Sequence, residues 1–380
     1  MNNNRIWLST PHMSGQEQKY LKEAFEKNHV FPLGENVTGF EEDIAEFTGT
    51  ETVTCLSSGT AALHLALINL GVEPGDEVIC SSFTFSASAN PIMYEKATPI
   101  FVDSEPETWN MSPELLEEAI QDRIKKGKKP KAIILVYLYG MPARMDELME
   151  IANKYEIPVI EDAAEALGSK YKGQHMGTFG EMGVLSFNGN KIITTSGGGA
   201  LISDNKKYCD HALFLATQAR DKAPHYQHSY IGYNYRMSNI SAGIGRGQME
   251  VLNERVNKRR ENFRFYKEAL KFYNVLSFLD EPNEDYFSNH WLTTFLIDSE
   301  KKSSEGLREY LQPFNIETRP LWKPMHLQPV FKDAPTYTDG TSEELFSKGI
   351  CLPSSSSITD EERAFVVEKI KEYMEIRSGL

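Results

Sequence analysis

The first half of the chain alternates two hydrophobic patterns. Four short runs, "EVICSS" (77–82), "TPIFVD" (98–103), "AIILVYLYG" (132–140) and "IPVIEDAA" (157–164), are almost unbroken in apolar residues and rich in Val and Ile. Strands covered on both faces read this way, because no position along them needs to meet water. Between them, apolar residues recur at helical spacing. "SGTAALHLALINLG" sets Leu63, Leu67 and Leu70 on one side, with Gly71 where the helix should end. "SPELLEEAIQDRIKK" and "MDELMEIANKYE" keep the same period. Strand and helix in alternation predict an α/β fold on a mostly parallel sheet.

The rhythm changes near residue 241. A long helical stretch, "AGIGRGQMEVLNERVNKRRENFRFYKEAL", leads to a strand-like run, "SNHWLTTFLID", and to a last helix opened by a T-x-x-E capping box, Thr359 to Glu362. The expected organisation is a large domain over 1–249, including an N-terminal arm, and a smaller C-terminal α/β domain over 250–380. A chain of 380 residues is long enough for two such cores.

Composition then removes several classes of function. With 40% hydrophobic and 25% charged residues the chain reads as soluble and globular. No apolar run approaches the roughly 18 residues of a membrane span. The start, "MNNNRIWLSTPHMSG", has no signal-peptide core, so a cytoplasmic location is expected. Cys55, Cys80, Cys209 and Cys351 are scattered and show neither zinc nor disulfide spacing. The net charge of −14 argues against nucleic-acid binding. "GIGRGQ" does not follow a strand, which argues against a dinucleotide site, and no Walker motif occurs. His225 and His228 have no further ligand nearby, so no metal site is expected.

The candidate chemistry centres on "GVLSFNGNKIITTSGGGALIS" (183–203), where a lone lysine, Lys191, follows a short apolar strand and precedes three glycines. A turn lysine on its own ordinarily points into solvent. Two further features change that reading. "CLSSGTAAL" (55–63) runs from a strand end through Ser and Gly into a helix whose first amides and dipole suit an anion; Gly59 permits close approach and Thr60 adds a hydroxyl. Asp162 ends a buried strand, where open α/β sheets place ligands. Singly these are an N-cap and a structural carboxylate. Together an anion cradle, a carboxylate and a lysine match the needs of pyridoxal phosphate.

The motifs "FPLGENVTGFEEDIAEFTG", "SSGTAALHLAL", "PGDEVICSSFTFSASANPI", "IEDAAEALGS", "SFNGNKIITTSGGGA", "GYNYRMSNISAGIG" and "RPLWKPMHLQP" make almost the whole chain similar to the DegT/DnrJ/EryC1/StrS family of nucleotide-sugar aminotransferases. The resemblance implies the fold of type I pyridoxal-phosphate enzymes and a homodimer with shared sites. It assigns Lys191 to the Schiff base and to proton transfer, and Asp162 to the pyridine nitrogen. Gly59, Thr60 and Ser186 fall to the phosphate, Phe85 to stacking on the ring, and Asn234 to the neighbouring subunit's cofactor phosphate. The glycines at 197–199 are expected to pass close to the cofactor. Glu165 stands where glutamine is common, beside the phenolic oxygen, and is expected to carry or share a proton. Tyr137 replaces a commoner histidine. Relatives with histidine at the lysine position are dehydratases, so Lys191 favours transamination. Within the family the chain resembles 4-aminotransferases of the UDP-N-acetylbacillosamine pathway. That likeness implies a UDP-linked 4-keto-6-deoxy-N-acetylhexosamine as acceptor, L-glutamate as donor and a product for surface glycan or lipopolysaccharide. It puts Phe31, Pro32, Leu33 and Gly34 on the sugar side, with Arg319, Trp322 and His326 near the nucleotide sugar. The alternatives are a 3-aminotransferase on a dTDP-keto-sugar and a non-catalytic, cofactor-binding regulator.

Overall fold

The computed structural model describes residues 5–376. Nine strands form by residue 203: β1 (Thr52–Leu56), β2 (Glu77–Ser81), β3 (Thr98–Val102), β4 (Ala132–Val136), β5 (Val159–Asp162), β6 (Lys170–Tyr171), β7 (Gln174–His175), β8 (Met182–Ser186) and β9 (Gly199–Ser203). The rest are β10 (Leu276–Phe278), β11 (Tyr286–Phe287), β12 (Thr293–Ile297), β13 (Arg319–Pro320), β14 (Thr336–Tyr337) and β15 (Gly349–Leu352). The central sheet has eight strands in the order β1-β9-β8-β5-β4-β2-β3-β14. From β8 to β14 all pairs are parallel, while β9 is antiparallel to both of its neighbours. The four apolar runs are β2 to β5, and every residue of β2, β4 and β5 is buried. This is the mostly parallel α/β architecture that the pattern predicts.

The first three helices of the described residues are α1 (Glu17–Glu26), α2 (Glu35–Thr48) and α3 (Gly59–Asn69). Leu63 and Leu67 do not mark a single buried side of α3, because every residue from Ala61 to Leu67 is buried, His64 included. Such a helix is covered all round. The long helical stretch is two helices, Asn239–Met249 and Leu252–Leu270, parted at residues 250–251. "GIGRGQ" lies in the first of them. A Cβ at Gly245 would lie 2.5 Å from the Phe40 ring, and one at Gly247 2.5 Å from the Glu17 backbone. Its glycines serve a close helix crossing with α1 and α2.

The smaller sheet runs β10-β12-β15-β13, all antiparallel. Backbone pairing crosses the expected split at 249/250 at several points, the first where β11 pairs with β6 in a three-stranded sheet β11-β6-β7, Tyr286 opposite Tyr171. β14 returns to the large sheet beside β3, with Thr336 opposite Phe101 and Tyr337 opposite Val102. From the other end, Ile6 bridges Ile316. Thr359 and Glu362 form the capping box of helix Asp360–Glu375. Among the described residues no helix is long and apolar enough to cross a membrane.

Candidate active site

The strand ends β1, β5 and β8 surround a cavity of about 330 Å³. A larger, more open cleft of about 770 Å³ lies elsewhere, beside Tyr20 and Arg246. There Arg246 pairs with Asp43 at 3.1 Å and the Tyr20 hydroxyl donates to Glu250 at 2.6 Å. The reactive side chains are in the smaller cavity.

β1 ends at Leu56, and the chain turns through Ser57 and Ser58 into α3. The Ser58 hydroxyl accepts the Ala61 amide at 3.0 Å. The amides of Gly59 and Thr60 precede it and have no acceptor within the helix; both residues line the cavity, as does Ser186. Gly199 stands opposite Leu56 on one side and Ser186 on the other. A Cβ on it would lie 2.3 Å from the Gly59 nitrogen and 2.4 Å from the Ser58 carbonyl carbon. This corrects the reading of 197–199 as one cofactor-facing run: Gly197 and Gly198 line the cavity, whereas Gly199 makes room for the start of α3.

Asp162 is the last residue of β5 and is buried. Its carboxylate accepts the Ser88 hydroxyl at 2.7 Å and the Ala164 amide at 3.2 Å. Burial holds this carboxyl above the usual range, against the pull of those donors and of Lys191. The Lys191 Nζ lies 3.3 Å from Glu165 Oε1 and 4.2 Å from the centroid of the Trp291 ring. Glu165 also accepts the Tyr139 amide at 2.8 Å. Burial raises the Glu165 carboxyl, and the Lys191 charge opposes the rise. Tyr139 adopts a left-handed backbone, φ 55°, uncommon for a bulky residue. Its hydroxyl accepts the Trp322 amide at 2.9 Å. Trp322 in turn sits between Phe85, Tyr139 and Trp291.

Of the residues expected at the site, the cavity collects Gly59, Thr60, Phe85, Asp162, Glu165, Ser186, Lys191 and Trp322. The others lie outside this cavity. Phe31, Pro32 and Leu33 are exposed, and Gly34 opens α2. Asn234 is exposed and bridges Thr217. Arg319 pairs with Glu317 at 2.8 Å. His326 is bonded to the Ser82 hydroxyl, just past the end of β2, at 2.6 Å and to Glu343 at 3.2 Å. Tyr137 gains a role: it donates to the buried Glu161, which also gathers the amides of Gly177, Phe179 and Gly180. Sequence reasoning missed Ser58, Ser88 and Trp291. Ser58 carried a signal as the Ser before a helix start; Trp291 was hidden inside a strand-like run.

This donor set fits pyridoxal phosphate. Amides and hydroxyls gather at one end. A buried carboxylate that makes no ion pair among the described residues stands deeper, with a lysine in the same cavity. The sequence profile of the DegT/DnrJ/EryC1/StrS aminotransferase family matches residues 11–371. The chain belongs to this family. It is 53% identical over 368 residues to EpsN of Bacillus subtilis (strain 168), covering 96% of this chain and 94% of EpsN. It is 39% identical over 363 residues to the GDP-perosamine synthase of Escherichia coli O157:H7, covering 96% and 97%. Spr1654 from Streptococcus pneumoniae, solved in PLP and PMP forms, superposes with a TM-score of 0.90 at 26% identity; its PLP form covers 98% of this chain and 99% of its own. The family member described here is a pyridoxal phosphate-dependent sugar aminotransferase.

Proposed function

We propose that this aminotransferase passes the amino group of L-glutamate to a UDP-linked 4-keto-6-deoxy-N-acetylhexosamine, giving the 4-amino sugar for a surface glycan or lipopolysaccharide. The observation that carries the amino transfer is the gathering of Lys191, Asp162, Glu165 and the start of α3 in one cavity, while the sugar and the donor rest on the sequence resemblance. Pyridoxal phosphate, when bound, supplies an aldehyde that condenses with amines and a ring that accommodates the electron pair left by a departing proton. Gly59 and Thr60 amides and the Ser186 hydroxyl would hold its phosphate. Asp162 would keep the ring nitrogen protonated, repaying the cost of its own burial. Phe85, 59% exposed and bordering the cavity, would cover the ring. Lys191 would move the proton at the substrate carbon, and Glu165 would share a proton beside the phenolic oxygen.

Asn234, the 31–34 loop and Arg319 are proposed to serve the site across a homodimer, whereas both ring nitrogens of His326 are engaged within its own chain. A GDP-linked 4-keto sugar is the second reading, favoured by the 39% identity to a GDP-perosamine synthase. Visible spectra test both. A yellow band that L-glutamate bleaches, and that a UDP-linked 4-keto sugar restores, is the expected result. Restoration only by the GDP sugar selects the second reading, only by a dTDP-3-keto sugar the 3-aminotransferase. A band that no amino donor bleaches indicates a regulator instead.

A further inference from the structure

We infer that Trp291, held by the buried Arg259 and by Ser9 of the N-terminal arm, is a positioning residue that aims the Lys191 amine. The inference rests on the proposed role of Lys191.

The indole grips the lysine segment at two points. Its π face lies 4.2 Å from Lys191 Nζ, within cation–π range. Its Nε1 donates to the carbonyl of Asn190, the residue just before Lys191, at 2.8 Å. Trp291 is fully buried and cannot swing aside without vacating a packed position. Its backbone carbonyl accepts Arg259 Nη1, and its amide donates to Asn289 at 2.8 Å. Arg259 also reaches the Ser354 carbonyl at 3.2 Å and the Ser9 hydroxyl at 2.9 Å. The Ser9 hydroxyl donates to the same Asn190 carbonyl at 2.8 Å. The contacts close into a ring: Lys191, Trp291, Arg259, Ser9, Asn190.

The ring does more than pack. First, Arg259 is 1% exposed and makes no ion pair among the described residues. Burying an unpaired guanidinium is costly, and an apolar side chain would fill the space more cheaply. What only the guanidinium supplies is a rigid fork of donors for a carbonyl, a second carbonyl and a hydroxyl at once. Second, an indole face attracts an ammonium without accepting its proton. Of the groups around the Lys191 amine, the carboxyls of Glu165 and Asp162 compete for the proton and Trp291 does not. Trp291 can therefore hold the amine in place while leaving its proton free to move.

The test compares Trp291→Leu, Trp291→Phe, Arg259→Met and Arg259→Lys with the wild-type holoenzyme. Visible circular dichroism per bound cofactor reports the setting of the group attached to Lys191. Single-turnover bleaching by L-glutamate separates the rate from the half-saturating concentration. Trp291→Leu is expected to lower the rate about 10–100-fold, the scale of a misplaced reacting group, with little change in half-saturation. Its dichroism should fall as well. Trp291→Phe, which keeps a ring face and loses the N–H, should lie between Trp291→Leu and wild type. Arg259→Lys should restore part of what Arg259→Met loses. Unchanged rate and dichroism in Trp291→Leu would overturn the inference, as would a loss confined to half-saturation. If that variant does not fold, wild-type values in both Trp291→Phe and Arg259→Met overturn it equally. A wild-type protein without a yellow band would refute the underlying assignment of Lys191, a result distinct from either.

Discussion

A carboxyl at the inner end of a buried strand is a liability until something meets it. Burial holds Asp162 above the usual carboxylate range, so its folded-state pKa exceeds the unfolded one. Its favourable share of stability is present below the unfolded value and is lost as pH rises through the folded one. At neutral pH the ionised side chain therefore costs the cofactor-free protein stability. Asp162→Asn is expected to raise the melting temperature of the cofactor-free protein at neutral pH, with a gain that shrinks toward acid. The same variant should gain less stability from pyridoxal phosphate and lose about 10²–10³-fold in the glutamate half-reaction. A cofactor-free variant less stable than wild type at neutral pH would contradict this account. Glu165 makes a second case. If it shares a proton at the ring, Glu165→Gln should move the pH midpoint of the visible band downward, because a carboxylate favours the protonated form beside it. A midpoint that does not move would end that role. Asp162 and Lys191 were legible in the sequence because strand-end position and the neighbouring glycines framed them. Trp291 and Ser88 were not, since an aromatic in a strand run and a serine in a loop have many commoner uses.

At the scale of elements, the sequence reveals β2 to β5 clearly because both faces of the sheet are covered and the apolar pattern is continuous. It hides the break between helices Asn239–Met249 and Leu252–Leu270, where no Pro or Gly interrupts the helical period. It also misdirects at the three glycines, whose spacing says only that something comes close. The structure separates their uses, and the separation can be tested. Gly199→Ala places a methyl against the backbone of Ser58 and Gly59 and must push the start of α3 away from the cavity. It should cost about 1–3 kcal/mol, the range for forced overpacking, and weaken cofactor binding. Gly197→Ala meets nothing within 4 Å and should leave thermal stability unchanged. Thermal melts and cofactor titration of the two variants decide the point. Equal effects at both positions would mean that the approach of α3 to β9 is not what Gly199 protects.

The whole molecule is tied together by short segments with no periodicity of their own, and these cross the expected division at 249/250. The two residues of β14, the two of β11 and a few of the N-terminal arm are too brief to register as elements, yet they pair parts of the chain far apart in sequence. Asp103, at the end of β3, is the main clamp for the returning segment. Its carboxylate accepts the Thr338 hydroxyl, the Gly340 amide at 3.1 Å and the Ser342 amide at 3.1 Å. Burial alone would raise this carboxyl, but the donors outweigh it and hold it below the usual value. With the folded pKa depressed, the stabilisation is present above the unfolded value and disappears as pH falls through the folded one. Asp103→Asn should therefore lower stability by about 1.5–3 kcal/mol at neutral pH, the worth of hydrogen bonds to a charged group. Urea melts should show an earlier midpoint with an unchanged slope. The gap between variant and wild type should close as the solution is acidified, since protonation removes from the wild type what the substitution has already removed. A gap that stays constant into acid, or one absent at neutral pH, would mean that β14 is held to the sheet by its backbone pairing with β3 and not by the charge on Asp103.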